Sequence, residues 1–355
     1  ELSAKSMDQL VSFGERLAVP MVHAWLDKAG LITRRVDARD WIATDDQFGA
    51  AEVDREASSH NIREGVQADD SFEVLITEGF IGKTETGDTT TLGRGGSDTT
   101  AVAFAAAFKA IRCDIYTDVD GIYTTDPRIT EKARKLNKIS FEEMLELASL
   151  GAKVLQTRSV ELAMRFNVKL RVLSSFDKPK SNAGTLVCSE EEIMESNIVS
   201  GIAHSRDEAK MTLISVADRP GIAAAIFGPL SEAGVNVDMI IQNIAEEGRT
   251  DMTFSCPTDQ VLRAEKALNS AKNEGDINFS QLVADTNVAK ISAVGIGMRS
   301  QSGVAAKMFR TLSDEGINIK VIATSEIKIS VLIDRKYMEL AVQSLHDAFD
   351  LEKIA

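Results

Sequence analysis

Three stretches of this chain carry residue types suited to anions. The first is TTTLGRGGSDTTA at positions 89–101. Gly93, Gly95 and Gly96 let backbone amides approach an oxyanion and permit positive φ. Ser97 or Asp98 is placed to cap the helix that follows, whose N-terminus adds partial positive charge. Arg94 supplies a planar fork that matches a carboxylate or a phosphate. A flexible glycine turn with an ordinary cap is the competing structural reading. The flanking threonines and the helix start favour a binding loop.

The second stretch is YTDVDGIYTTDPR at 116–128. It follows the apolar run CDIYT, so it lies at the carboxyl end of a strand, where open α/β sheets bind ligands. Asp118, Asp120 and Asp126 offer oxygens for Mg²⁺ or ribose hydroxyls. Tyr123 suits a base and Arg128 a phosphate. A plain cluster of turn formers fits equally well. The third stretch, GAKVL at 151–155, places Lys153 as a point charge between two helices, although a solvated lysine is the commoner case. In SFGER at 12–16, Glu15 and Arg16 read as a solvated pair on an amphipathic helix.

Other chemistries lack their residues. There is no GxxxxGK[ST], HRD or DFG, and the four histidines, His23, His60, His204 and His346, are scattered. They nominate neither a Ser-His-Asp set nor a metal site. Cys113, Cys188 and Cys256 stand far apart, the pattern of reduced thiols in a cytosolic protein. The net charge of −14, from 40 basic and 54 acidic residues, argues against a nucleic-acid partner. No apolar run is long enough for a membrane helix.

These motifs must be positioned by elements, and 355 residues imply two or three domains. Residues 1–187 read as α/β. Helices are expected over 7–29, 101–110, 141–150 and 158–167, with strands over 72–77, 113–117 and 168–173. The alternation predicts a largely parallel sheet with helices on both faces. A linker, possessing an acidic helix at 189–197, follows at 188–197. Beyond it lies an internal repeat. GIAAAIFGPLSEAGVNV at 221–237 matches GVAAKMFRTLSDEGINI at 303–319 with no gap, and 8 of the 17 positions are identical. Each copy reads as a small α+β unit of βαββαβ type, four antiparallel strands and two helices. The copies span 198–284 and 285–355, and the segment 198–204 is a candidate to complete the second.

Together, LGRGGSD, YTDVDGIYTTDPR, GAKVL and the repeat resemble the aspartokinases, amino-acid kinases with two C-terminal ACT domains. The match runs over essentially the whole chain. LGRGGSD with the ACT pair is the selective part, since glutamate 5-kinases and uridylate kinases have stretches like the second motif. The resemblance implies transfer of the ATP γ-phosphoryl group to the β-carboxylate of L-aspartate, at the start of lysine, threonine and methionine biosynthesis in the cytoplasm. It places Glu15 on the substrate amino group and Arg94 on the α-carboxylate. Phe80, Gly95 and Gly96 line the aspartate pocket, and Ser97 and Asp98 lie beside the reacting phosphate. Thr117, Asp118, Tyr123, Arg128, Lys153 and Val154 fall to ATP, with Mg²⁺ carried by the nucleotide and no protein-built metal site.

The ACT pair implies feedback by lysine, threonine or both, and at least a dimer, homomeric or heteromeric. The implied effector residues are Asp218, Gly221, Ala223, Asn236, Val237, Asp238 and Gln242 in the first copy, and Gly303, Asn318 and Ile319 in the second. Two departures stand out. The family opens on a Lys-Phe-Gly-Gly-Thr/Ser segment, and this sequence starts downstream of it, so the chain as given is expected to be incomplete for catalysis. Gln156-Thr157 stand where the family has His-Pro. A non-catalytic, ACT-bearing regulatory subunit and a kinase for another amino acid are the alternatives.

Overall fold

A computed structural model describes residues 2–67, 71–149, 154–177, 183–193, 197–243 and 248–353. Helix α1 spans Ala4–Lys28, and the Ser3 side chain caps it by accepting from the Ser6 amide. The apolar period forecasts this helix but not its buried side. Leu10, Leu17 and Trp25 are exposed, whereas Asp8, Ser12 and Val19 are buried. There follow β1 (Thr33–Arg35), α2 (Ala38–Trp41), α3 (Arg55–Gln67), β2 (Val74–Ile76), β3 (Ile81–Lys83), β4 (Thr89–Thr91), α4 (Gly96–Ala107) and β5 (Cys113–Thr117). After these come β6 (Lys138–Ser140), α5 (Phe141–Ser149), α6 (Thr157–Phe166), β7 (Leu170–Ser174) and β8 (Thr185–Cys188). Strand β5 pairs parallel with β7, and β6 parallel with β8. The β7–β8 pairing is antiparallel, so the four-stranded sheet, ordered β5-β7-β8-β6, is mixed. β1 and β2 form a separate parallel pair, and β3 and β4 an antiparallel one.

Local chemistry explains where helices start. Ser140 and Glu143 make a reciprocal capping box at α5, each side chain accepting the other's amide. The expected cap of α4 is corrected: Gly95 is the N-cap, at φ 74°, with no side-chain cap. Ser97 and Asp98 lie inside the first turn, because the helix begins at Gly96 and not at Ala101. The acidic run after β8 makes only a 3₁₀ turn at Glu190–Glu192. Part of the expected 189–197 helix lies outside the described residues.

A second compact unit holds Tyr123–Lys135 and the described residues from 197 onward. Its elements are β9 (Gly201–Ala217), α7 (Ile222–Glu232), β10 (Asp238–Gln242), β11 (Arg249–Pro257), α8 (Val261–Glu274), β12 (Gln281–Val294), α9 (Val304–Asp314), β13 (Ile319–Thr324), β14 (Lys328–Asp334) and α10 (Met338–Ala348). The two repeat copies share one six-stranded antiparallel sheet, ordered β10-β11-β9-β12-β14-β13. Two long strands make this possible. The first half of β9 sends Ile202 into the core of the second copy, among Ile291, Met308 and Leu345. Its second half sends Met211 and Leu213 into the core of the first, among Ile226, Phe254 and Leu268. The start of β12 reciprocates, with Leu282 packed against the first core.

Candidate active site

The LGRGGSD loop is built between β4 and α4. Gly95 is in the left-handed region, and a Cβ there would fall 1.9 Å from the Cγ of Gln156. No other residue type fits, and the segment leading into α6 thereby packs on the loop. Phe80 is also left-handed, at φ 70°, which is costly for an aromatic residue. It is held there from both sides. Its amide donates to Thr100 Oγ1 at 3.2 Å, and its carbonyl accepts from the Leu92 amide at 2.9 Å. The ring rests on Gly96, where a Cβ would lie 2.9 Å from Phe80 Cδ2. The turn before it is anchored by buried Glu78, which accepts from the Ala38 amide at 2.9 Å.

The structure therefore brings Phe80, Gly95, Gly96 and Ser97 together, with Gln156 against them. Arg94 and Ser97 are exposed, and Asp98 is half-buried. Burial pushes the Asp98 carboxyl above its ordinary range. Glu15 is half-buried on α1. Arg16 lies over the Phe13 ring at 5.1 Å. The sequence reading passed over Asp8, which is only 2 % exposed and accepts hydrogen bonds from both sides of the loop's approach. Its only sequence signal was position: it stands two helical turns before Glu15.

Thr117 and Asp118 close β5 at its carboxyl end. The Thr117 hydroxyl donates to Asp118 Oδ1 at 3.1 Å, and Asp118 is exposed. An exposed carboxylate and hydroxyl beyond a parallel strand fit a nucleotide's ribose and phosphate-bound cation. Cys113, at the opposite end of β5, is no nucleophile: burial pushes its thiol up to about 11. Tyr123 and Arg128 lie in the segment Tyr123–Lys135, which groups with the C-terminal unit. Arg128 is nearly free of packing but forks onto Asp126, Nη2 to Oδ2 at 2.7 Å. Its hydrogen bonds hold Asp126 below the ordinary carboxylate range. Val154 occupies a turn before α6, and Lys153 lies outside the described residues.

In the C-terminal unit, Gly221 and Gly303 are the N-caps of α7 and α9, at φ 87° and 96° and without side-chain caps. The Ile222 amide at the start of α7 turns back to the Arg219 carbonyl at 3.2 Å. Gln242 Nε2 donates to Asp218 Oδ1 at 3.4 Å, which brings two residues of the first loop together. Ala223 is exposed on the first turn of α7. Asn236 donates its amide to Gln260 Oε1 at 2.7 Å, and Val237 packs partly against the first core. Asp238 is turned to Lys290 at 3.0 Å. Asn318 and Ile319 line an open recess of about 390 Å³ with Phe309, Ser313, Gly316 and Ile317.

Comparison with known proteins joins these observations. Residues 1–174 match the amino acid kinase family, and residues 210–273 and 291–349 each match an ACT domain. An aspartate kinase of Pseudomonas putida is 48% identical over 353 residues, covering 98% of this chain and 83% of its own. Aspartokinase III of E. coli, solved with aspartate and ADP, superposes with a TM-score of 0.80 at 32% identity, covering 98% of this chain and 76% of that one. The same enzyme with lysine and aspartate superposes at 0.75 with 31% identity over the same shares.

Proposed function

The chain belongs to the aspartate kinases, amino-acid kinases followed by two ACT domains, and we propose that Glu15 holds the α-amino group and Arg94 the α-carboxylate of its L-aspartate substrate. The enzyme uses a nucleotide phosphoryl donor, as the ADP complex of its E. coli relative indicates. ATP supplies the phosphoryl group and brings Mg²⁺ to spread its charge. The protein's task is to place the acceptor β-carboxylate in line with it and to exclude water. Arg94 forks onto the α-carboxylate, Glu15 meets the amino group, and Phe80 walls the pocket. Gly95 and Gly96 keep the loop close to the acceptor. Ser97 and Asp98 stand at the start of α4, where helix amides favour negative charge. Thr117, Asp118, Tyr123, Arg128, Lys153 and Val154 take the nucleotide.

The observation that carries this reading is the junction of Phe80, Gly95–Ser97 and Gln156. A strained aromatic residue and a glycine that admits no Cβ are held together there, beside an exposed arginine. Such strain collects at binding sites. Arg94→Lys keeps the charge and loses the fork. In aspartyl hydroxamate assays of the complete enzyme, aspartate use should collapse while ATP binding persists. Equal loss of both would make Arg94 phosphate-facing or structural.

The ACT unit serves feedback. The helix starts at Gly221 and Gly303, which have no side-chain cap, suit the carboxylate of lysine or threonine, and Asp218, Asn236 and Gln242 suit an amino group. The E. coli relative solved with lysine supports an amino-acid effector. An assembly of at least two chains follows if ACT units pair across subunits.

A further inference from the structure

We propose that Asp8 is the positioning residue that sets helix α1 against the LGRGGSD loop and so fixes the span between Glu15 and Arg94. The proposal rests on the assignment of those two residues to the amino and carboxylate ends of aspartate.

Asp8 is a buried carboxylate on a helix whose apolar residues are mostly exposed. Three donors satisfy it. Oδ2 accepts from the Gly49 amide and the Thr91 amide, each at 2.9 Å. Oδ1 accepts from the Thr91 hydroxyl at 2.8 Å. A carboxylate with this many donors is well compensated for leaving water, and removing it leaves three donors without that partner.

The donors belong to the two walls of one turn. Thr91 ends β4, and the next residues are Leu92, Gly93 and Arg94. Gly49 belongs to the opposite wall: its carbonyl lies 3.3 Å from where a Cβ on Gly93 would stand. The Ala51 amide also donates to the Thr91 carbonyl at 2.9 Å. One side chain thus grips both walls next to Gly93, one residue before Arg94. Strand β4 pairs with β3, and its first two threonines meet side chains outside α1. Thr90 Oγ1 meets Thr44 Oγ1 at 2.6 Å, and Arg39 Nη1 donates to Thr89 Oγ1 at 3.3 Å. Among the described residues, the third threonine, the one leading into the loop, is the one hydrogen-bonded to α1. A salt bridge of 2.7 Å from Lys5 to Asp88 ties the same helix to the turn before β4.

Asp8 and Glu15 are two turns apart on α1, which places them on nearly the same side of the helix about 10 Å apart along its axis. A rotation or slide of α1 moves Glu15 relative to Arg94. The α-amino and α-carboxylate groups share one carbon and have a fixed separation, so aspartate binding feels that change at once, and nucleotide binding, which uses neither residue, does not. Misplacement by about 1 Å is enough to cost orders of magnitude in rate.

The test is steady-state kinetics on the complete enzyme, with KM for aspartate and ATP measured separately and thermal unfolding recorded alongside. Asp8→Asn takes the charge from the oxygen that the Gly49 and Thr91 amides share and turns an NH₂ toward the Thr91 hydroxyl, which must then accept rather than donate. It should raise KM for aspartate by about tenfold and leave KM for ATP within about twofold. Thr91→Val removes one hydroxyl bond of the three and should raise KM for aspartate about threefold. Thr91→Ser, which keeps the hydroxyl, should restore it to within about twofold. If Asp8→Asn does not fold, the Thr91 pair decides. Equal rises in both KM values, or a lower unfolding temperature with aspartate KM unchanged, would show that Asp8 is only structural and overturn the proposal. Arg94→Lys in the same assay separates the two claims. If it leaves aspartate KM unchanged, the underlying site assignment fails. If it raises aspartate KM and the Asp8 and Thr91 variants do not, the positioning role alone fails.

Discussion

The two ACT copies have the same core and different surfaces. Ala264, Leu268 and Ala271 on α8 are buried in the first copy. The corresponding Ala341 and Leu345 on α10 are buried in the second, and α10 buries His346 as well. Its counterpart on α8, Asn269, is exposed, and so is Leu262 at 80%. The difference has a visible cause. Tyr123–Lys135, part of the amino acid kinase match, lies on α10. Thr124 Oγ1 meets His346 Nε2 at 2.9 Å, Gln343 Nε2 donates to the Ile129 carbonyl at 2.7 Å, and Lys132 pairs with Asp347 at 2.7 Å. Ile129 itself packs on the second core. Duplication preserved the packing and freed the outer faces to diverge. One copy grips the segment that carries Tyr123 and Arg128; on the other, Leu262 and Asn269 are exposed at the corresponding positions among the described residues.

Charge diverged in the same way. Asp238 and Lys320 hold equivalent positions in the repeat with opposite sign. Asp238 helps to hold Lys290, which is 5% exposed and pairs with buried Glu208 at 2.7 Å. Burial alone would lower the Lys290 pKa, but these two carboxylates raise it. Lys320 is the more exposed of the two lysines and pairs with Asp285 and Asp334. The sharpest test of the contrast is therefore Lys290→Met against Lys320→Met. The first strands Glu208 in the sheet between the copies and should cost about 3–5 kcal/mol. The second should cost about 1 kcal/mol or less. Denaturant midpoints of the two variants check this, and equal losses would break the distinction.

The helix contrast makes a smaller prediction. His346→Ala removes one partner of the buried Thr124 hydroxyl, which keeps the Arg134 amide at 3.0 Å, and leaves a cavity, for a loss of about 2–3 kcal/mol. Asn269→Ala should stay within about 0.5 kcal/mol. If Tyr123 and Arg128 bind nucleotide, His346→Ala should also raise KM for ATP more than KM for aspartate, the reverse of the pattern expected at Asp8.

Effector binding should separate the copies too. Ala223 is exposed at the start of α7, while its repeat mate Ala305 packs partly on the second core. Ala223→Val adds bulk at the proposed loop and should abolish inhibition while sparing the kinase reaction, a coupling change of about 1–3 kcal/mol. Titrations of activity with lysine and threonine, alone and together, decide it. Full inhibition of the variant would move the effector site elsewhere.

Much of this was legible in the sequence. Composition and period located α1, β5 and the helix pair at 141–167, and the ungapped repeat announced the duplicated unit. What stayed hidden depended on distant partners. Ser97 and Asp98 looked like caps because they are good capping types, but Gly95 takes that place under the pressure of Gln156, and nothing local reports that pressure. Asp8 is of a type common on the polar face of any amphipathic helix; its value lies in Thr91, 83 positions away. His346 and Thr124 are 222 positions apart. The repeat suggested two four-stranded units, and only pairing of the long strands β9 and β12 shows one sheet of six.

The smallest expected effect is the dependence of the α10 contact on pH. His346 is fully buried, and burial is the main reason that its pKa lies below the ordinary value of about 6.5. Asp347 and Glu352 oppose the shift, and Lys132 and Arg134 add to it. The unfolded chain then binds the proton more readily than the folded one. Stability from neutral His346 is fully present above the unfolded pKa and is lost as pH falls from about 6.5 toward the lower folded value. His204, lowered chiefly by burial as well, acts in the same direction. Asn269 does not titrate, so the first copy has no equivalent at this position. Unfolding of the wild type should therefore become easier as pH falls below about 6.5, and His346→Gln should flatten part of that slope while His204 retains the rest. A His346→Gln profile parallel to that of the wild type across this window would show that the α10 contact is indifferent to protonation.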